Sequence, residues 1–165
     1  NLGAAGLAAS WIGWIGAASL LPWLRHTAPG HDALSTSIGT VALAALAEAT
    51  ADTVSSEMGQ AFGGSPVLLT TMRRVAAGVD GAITAIGTVA GVIGAVAVIG
   101  AGQWALRLSS RNAVIALIAG VAGLFFDSLL GATVERRGWV GNDLVNFAST
   151  LFAAGVALSL LIAAS

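Results

Sequence analysis

Residues Ala51–Gly91 read ADTVSSEMGQAFGGSPVLLTTMRRVAAGVDGAITAIGTVAG, and this stretch determines how the rest of the chain is arranged. It separates two apolar segments and holds a third of the charged side chains of the protein: Asp52, Glu57, Arg73, Arg74 and Asp80. The surrounding sequence is almost entirely apolar, so a polar stretch of this length needs a physical reason. We interpret it as the anion-binding half of a membrane-embedded active site.

The composition indicates that lipid surrounds the chain. Hydrophobic residues make up 56% of the sequence and charged residues 9%, whereas a soluble domain is typically about a quarter charged. The net charge of -1 argues against nucleic acid as a partner, and the lack of cysteine excludes disulfides, thiolate metal sites and cysteine nucleophiles. Because the chain begins at Asn1, we expect that N-terminal residues of a longer protein are missing.

Apolar segments of about 20 residues, the length that crosses the hydrocarbon core, predict transmembrane helices. The expected fold is therefore all-α, a polytopic membrane protein forming a single domain over residues 1–165. Gly and Ala should let its helices pack closely, as in the G-x-x-x-G pair of Gly87 and Gly91. Five spans are predicted: about Leu2–Leu24, Ala33–Ala51, Ala82–Trp104, Ala113–Thr133 and Leu144–Ala164.

Alternating spans place the two most polar connections, 52–81 and 134–143, on the same side of the membrane. Three arginines fall on one side and four on the other, so the positive-inside rule barely discriminates between the two orientations. One site can nevertheless draw on both connections.

Acidic residues at the end of the second span predict a polar cavity or a bound cation. Asp52 is followed by Ser55 and Ser56 at helical spacing, and Glu48 lies one turn deeper. Together with Glu57 these acids are costly in hydrocarbon. For Glu48, pairing with an arginine of another helix is an equally good interpretation.

The run Thr70-Thr71-Met72-Arg73-Arg74 is the best candidate for binding phosphate. Hydroxyls, backbone N–H groups and guanidinium forks are suited to a diphosphate or triphosphate. The run precedes Gly78 and Gly81, where the next helix is predicted to begin, and a helix N-terminus favours anions. The alternative is an ordinary basic loop in contact with lipid headgroups.

A second acidic group is predicted around the fourth and fifth spans. Asp127 lies in GLFFDSLLGATVE next to Ser128, and Asp143 and Asn146 share one face of the fifth helix. These oxygen ligands suit Mg²⁺, which is held by carboxylates and substrate phosphates. For Asn142 or Asp143, capping of the helix N-terminus is the alternative.

Other polar residues give weaker indications. Arg136 and Arg137 are equally suited to bind phosphate and to reach lipid headgroups. His26 and His31 fall on the opposite side from the polar connections, so neither is a good candidate for a base. The sequence contains no Ser-His-Asp set, H-E-x-x-H motif or Walker-type loop.

Four blocks, ATADTVSSEMG, TTMRRVAAGVDGAITAIGTVAG, AGLFFDSLLGATVERRG and NDLVNF, occur in the order found in one integral-membrane family. Over about residues 40–152 the chain resembles the family of phytyl-phosphate kinases and transmembrane protein nineteen. The first block is also similar to the CTP-binding region of dolichol and phytol kinases, although those enzymes have lysines where this chain has an arginine pair. That resemblance implies nucleotide-binding roles for Asp52, Thr71, Arg73, Arg74 and Gly81.

The resemblance implies a CTP-dependent kinase that converts an isoprenoid monophosphate to the diphosphate. We expect Mg²⁺ as the cofactor, membrane lipid around the helices, and a location in a prokaryotic inner membrane or an organellar membrane, with the active face towards the cytoplasm or stroma. The expected ligands of the metal are Asp52, Glu57, Asp127 and Asp143; the phosphate-binding set is Ser56, Thr70, Thr71, Arg73, Arg74, Gly78, Gly81, Ser128, Arg137, Asn142 and Asn146.

Two alternatives remain open from the sequence. A cytidylyltransferase would use much the same residues, and a carrier or channel would use the intramembrane acids as an ion path. The identity of the prenyl chain, the nucleotide preference and homo-oligomerisation are also left open.

Overall fold

The computed structural model describes residues 31–164, which fold into four long helices. Each is long and apolar enough to cross a membrane, so the all-α membrane fold is confirmed. Four of the predicted spans lie among them, and the predicted first span, 2–24, lies outside the described residues. The helices are α1 (His31–Phe62), α2 (Ala85–Leu106), α3 (Ser110–Leu130) and α4 (Asn142–Ala163).

Helix α1 continues eleven residues beyond Ala51, where the prediction ended its span. The extension is polar, which ended the hydrophobic segment, but it contains no proline and only one glycine before Gly63. The helix ends at the sequence Gly63-Gly64-Ser65-Pro66, in which Gly64 has a φ of 68°. Glycine and proline in succession are typical of helix termination.

Helices α2 and α3 are joined by residues 107–109 alone. Arg107 closes α2 in the left-handed conformation, and its N–H donates to the Gln103 carbonyl. The Ser109 hydroxyl then caps α3 by accepting from the N–H of Asn112. At its other end α3 runs into a π-helical turn, Gly131–Glu135, in which the N–H of Arg136 donates to the Gly131 carbonyl at 3.2 Å.

Helix α1 is the central element, and it packs against α2, α3 and α4. A Cβ at Gly87 would lie 2.5 Å from the Ser55 carbonyl oxygen, and one at Gly91 would lie 2.6 Å from that of Ala51. The G-x-x-x-G pair is thus a close helix contact, as its spacing predicts.

Apolar and polar side chains separate along the bundle. The half remote from the connection 63–84 is filled by small and branched apolar residues, among them Leu43, Ala44, Ile99, Ala116 and Ala157. The last turns of α1 and α3 and the first turns of α2 and α4 lie together at the other end. Both polar connections are therefore at one end of the bundle, as the alternation of spans predicts.

The connection between α1 and α2 is itself structured. Strand β1 (Val67–Leu68) pairs antiparallel with β2 (Ala82–Ile83), which directly precedes α2. Residues 66–75 form a tight hairpin, because Leu68 N–H donates to the Arg73 carbonyl and Val75 N–H to that of Pro66. Pro66 and Leu68 are buried, so the base of the hairpin is held against the protein.

Candidate functional site

A cavity of about 360 Å³ opens at the polar end of the bundle. Its walls come from the second half of α1, residues 77–84, the end of α3 and the start of α4. Among the described residues that line it, none is basic and five are acidic: Asp52, Glu57, Asp80, Asp127 and Glu135. Such a concentration of one sign of charge in a concave site attracts cations.

Asp52 of α1 and Asp127 of α3 form the inner part of this acidic lining. Both are partly buried, and the two carboxylates are close enough for like-charge repulsion to act between them. The Ser149 hydroxyl of α4 donates to Asp127 Oδ2 at 2.9 Å. Since Ser149 is fully buried, α4 fixes the orientation of the Asp127 carboxylate from behind.

Glu48 lies one turn deeper in α1 and is only 1% exposed. Its Oε2 accepts a hydrogen bond of 2.6 Å from the Thr150 hydroxyl. A Cβ at Gly123 would approach its Cγ to 2.5 Å, so α3 leaves room for this side chain by carrying glycine there. Among residues 31–164 the partner that the structure gives Glu48 is thus a hydroxyl of α4, and not the arginine considered from the sequence.

Asn146 lies behind the cavity, with 6% of its surface exposed. Its backbone carbonyl lies 3.0 and 2.8 Å from the hydroxyls of Ser149 and Thr150, whose single protons it shares with Asp127 and Glu48. Within residues 31–164 its buried Nδ2 has no hydrogen-bond partner. An unpaired buried amide is unusual, and it leaves a donor available beside the two hydroxyls that hold Glu48 and Asp127.

The turn from Gly78 to Gly81 forms the rim of the cavity. Both glycines have positive φ, 83° and 70°, a conformation that other residues adopt only with strain. A Cβ at Gly81 would overlap the backbone of Ala132 and the carbonyl of Ser128, whereas one at Gly78 would meet nothing within 4 Å. The absence of a side chain at Gly81 therefore lets the turn pack against the end of α3. At Gly78, glycine is needed only because the backbone has a positive φ.

Two acidic residues of the cavity were not among the predicted site residues. Asp80 lies between the two glycines of the turn, but only the glycines were predicted to be site residues. Glu135 ends the π-helical turn, and a π-helical turn changes the direction of the residues that follow it. No local sequence pattern predicts the π-helical turn, so Glu135 could not be recognised from the sequence. Asp80 could have been, because it is an acidic residue between two glycines of the predicted phosphate-binding segment.

All five predicted site residues of α1 and α3 line the cavity. Asp52 and Asp127, from the two acidic groups recognised in the sequence, share it. Eight predicted residues line it: Asp52, Ser56, Glu57, Gly78, Gly81, Asp127, Ser128 and Asn142.

The Thr70–Arg74 run does not line the cavity, because it forms the exposed tip of the hairpin. The N–H groups of Thr71 and Met72 donate to the Leu68 carbonyl, and that of Arg73 lies 3.4 Å from the Thr71 hydroxyl. These backbone donors are used inside the turn, so they are not directed at an anion as the sequence analysis expected.

Asp143, Asn146 and Arg137 are also absent from the lining. Asp143 is exposed in the first turn of α4. Successive helical residues point about 100° apart, so when Asn142 faces the cavity Asp143 faces away from it. Neither Asn142 nor Asp143 is the N-cap of the helix, because Gly141 holds that position, without a side-chain hydrogen bond. Arg137 is exposed, with its guanidinium 5.0 Å from the centre of the Trp139 ring.

The donor set of the cavity fits a magnesium ion that is shared with a phosphate ligand. Among residues 31–164, no three Asp, Glu or His side chains form a group able to hold a metal ion by themselves. Mg²⁺ is usually bound through one or two carboxylates together with water and substrate phosphates. Asp52 and Asp127, which line one cavity, are such a pair.

Comparison with known proteins identifies several relatives. The chain is 41% identical over 109 residues to an uncharacterized membrane protein of Methanocaldococcus jannaschii, covering 66% of this chain and 45% of the relative. It is 30% identical over 110 residues to an uncharacterized membrane protein of Synechocystis, covering 66% and 43%. It is 32% identical over 98 residues to Protein VTE6, chloroplastic, of Arabidopsis thaliana, covering 58% and 29%.

The chain spans less than half the length of each of these three relatives. No solved structure matches it. The family expected from the sequence blocks is confirmed. A family model described as integral membrane protein DUF92 matches residues 3–154, nearly the whole sequence, and the chain therefore belongs to this family of integral membrane proteins.

Proposed function

We propose that the chain is a CTP-dependent kinase that transfers a phosphoryl group to an isoprenoid monophosphate, such as phytyl or polyprenyl phosphate, at the polar end of the bundle. The observation that carries the proposal is the pairing of Asp52 and Asp127, from two different membrane helices, on one cavity. The family resemblance supplies the substrate class. The location of the cavity at a membrane surface supports it, because a nucleotide from water and a lipid phosphate can meet there.

The acidic lining supports a nucleotide bound as its magnesium complex. Free CTP would be repelled by five carboxylates, so a divalent cation has to accompany it. Asp52 and Asp127 would hold Mg²⁺, with Glu57 nearer the cavity mouth. When bound, Mg²⁺ would neutralise charge on the phosphates and orient them for transfer.

The remaining lining residues provide contacts for phosphate oxygens. Gly78 and Gly81, which carry no side chain, bring backbone to the cavity wall. The hydroxyls of Ser56 and Ser128 and the amide of Asn142 also line the cavity; the two hydroxyls donate to carbonyls of their own helices and would rotate to reach a phosphate. Such neutral donors bind phosphate oxygens without cancelling the cation attraction of the acids.

The acceptor explains why no histidine is needed. A phosphate monoester is already ionised at neutral pH, so it attacks without a general base, and the protein contributes positioning and charge neutralisation. The isoprenoid chain would remain in the bilayer beside the helices. Because CTP is present in the cytoplasm and stroma, the cavity end should face that compartment.

Purified protein in lipid nanodiscs, given phytyl phosphate, CTP and Mg²⁺, tests the proposal. Phytyl diphosphate should form, and Asp127→Asn should lower its rate roughly 100-fold, as expected when a group that organises transition-state charge is lost. Arg111→Gln, at the opposite end of the bundle, is the control and should retain the rate. No diphosphate from wild-type protein that is folded and binds Mg²⁺–CTP would refute the kinase.

Labelled CTP separates the kinase from the cytidylyltransferase, which the same cavity would also accommodate. Label in the terminal phosphate should appear in the lipid, and label in the cytosine base should not. Base label in the lipid would assign nucleotidyl transfer instead. Ion flux through protein-containing vesicles, without Mg²⁺-dependent CTP binding and sensitive to Asp127→Asn, would assign transport.

A further inference from the structure

We propose that the tip of the hairpin 66–75 is a binding element for anionic phospholipid headgroups, in which Arg73 and Arg74 contact lipid phosphate and Met72 enters the interfacial layer. This role is independent of the reaction in the cavity. It gives a function to three exposed side chains that the cavity does not use.

The chemistry of the tip is matched to a charged lipid surface. Met72 is 68% exposed, and it lies next to two exposed arginines, so the tip presents an apolar side chain and two cations together. Its φ of 53° is a left-handed conformation, which is strained for a non-glycine residue. The two guanidinium groups beside it are exposed and are suited to bind phosphate oxygens.

The position of the hairpin tip is also consistent with contact to lipid headgroups. Strand β2, to which the hairpin is paired, ends one residue before the Thr84 cap of α2, so the hairpin base lies where a membrane helix begins. Hairpin arms of about four residues extend roughly 13 Å. The headgroup layer adds roughly 5–8 Å beyond the hydrocarbon on each side, so headgroup contact requires the hairpin to lean over the bilayer, with the long arginine side chains adding reach.

A second basic and aromatic group lies at the same end of the bundle. Arg136 and Arg137 are exposed, and Arg137 stacks on Trp139, which is itself 68% exposed. Tryptophan and arginine together are typical of the membrane interface. The basic side chains at this end therefore lie outside the acidic cavity, which leaves them available to the surrounding lipid.

The natural sequence has no cysteine, so Met72→Cys provides a single site for a spin label. Its exposure to a water-soluble paramagnetic reagent is measured in vesicles of neutral phosphatidylcholine, with and without anionic phosphatidylglycerol. Anionic lipid should shield the label, and high salt should reverse the shielding. Attraction of an arginine to an anionic surface is worth roughly fivefold in partitioning, so Arg73→Ala with Arg74→Ala should abolish most of the effect.

The matched control is Arg107→Ala with Arg111→Ala, which removes two arginines at the opposite end and should leave the shielding at position 72 unchanged. Salt dependence in the protein with all arginines intact supplies a second measurement if the tip variant fails to fold. Equal exposure in neutral and anionic vesicles would overturn the proposal. So would shielding that requires CTP and is the same in both lipids, because the arginines would then bind nucleotide.

Discussion

At the scale of single residues, Gly78 and Gly81 show how one glycine differs from another in the same turn. Both need a positive φ, but only Gly81 is in contact with the end of α3. Gly78→Ala should therefore cost only the strain of the backbone, about 1 kcal/mol. Gly81→Ala should in addition push the turn away from α3 and open the rim of the cavity.

This difference is measured by Mg²⁺-dependent CTP binding and by thermal unfolding in detergent. Gly81→Ala should lose binding and unfold at a lower temperature than Gly78→Ala. Equal behaviour of the two variants would show that the contact of Gly81 with Ala132 and Ser128 does not hold the rim.

Residue identities predicted three of the five described acids that line the cavity, Asp52, Glu57 and Asp127, but not Asp80 and Glu135. Asp52 and Asp127 were recognisable because ionised side chains are costly in apolar segments. Asp143 was not separable from Asn142 by composition, because a helix turns about 100° per residue and only the structure sets the phase. Glu135 depends on a π-helical turn that local sequence does not specify.

At the scale of elements, the contact between α1 and α2 depends on glycines at selected positions. A Cβ at Gly91 would lie 2.6 Å from the Ala51 carbonyl oxygen and 2.9 Å from Ser55 Cβ, while one at Gly100 would meet nothing within 4 Å. Gly91→Ala should destabilise the bundle by about 1–3 kcal/mol through overpacking. Gly100→Ala, in the same helix, should be neutral or stabilising by up to about 1 kcal/mol.

Unfolding of the two variants by a denaturing detergent, followed by circular dichroism, gives the comparison. A Gly91→Ala protein as stable as wild type would mean that α1 and α2 separate without cost.

The contact between α1 and α2 could be predicted from the spacing of small residues. The length of α1 could not, because its last eleven residues are polar yet still helical.

The hairpin shows another limit of pattern reading. Thr70, Thr71 and the two arginines have the composition of a phosphate-binding loop, and the prediction treated them as one. Backbone hydrogen bonds from Leu68 and Val75 instead turn the run away from the cavity. Composition gives the chemistry of a segment, whereas its direction comes from pairing with sequence elsewhere.

At the scale of the whole molecule, the arrangement of four helices fixes which connections share a side. Single cysteines replacing Ala76 and Arg136 should react with an impermeant maleimide from one side of the membrane. A cysteine replacing Ser110 should react from the other. Labelling of positions 76 and 136 from opposite sides of the membrane would contradict the arrangement of the four helices. The side from which both are labelled identifies the compartment that the cavity faces.

The apolar packing in the remote half of the bundle has a consequence for the movement of lipid between the two leaflets. Leu43, Ile99 and Ala116 fill the space beneath the polar residues, so within residues 31–164 apolar packing separates the cavity from the remote end of the bundle. If the proposed kinase reaction takes place in the cavity, its lipid substrate is received and its product released in the same leaflet. If its user lies on the far side, we expect a separate flippase to carry it over.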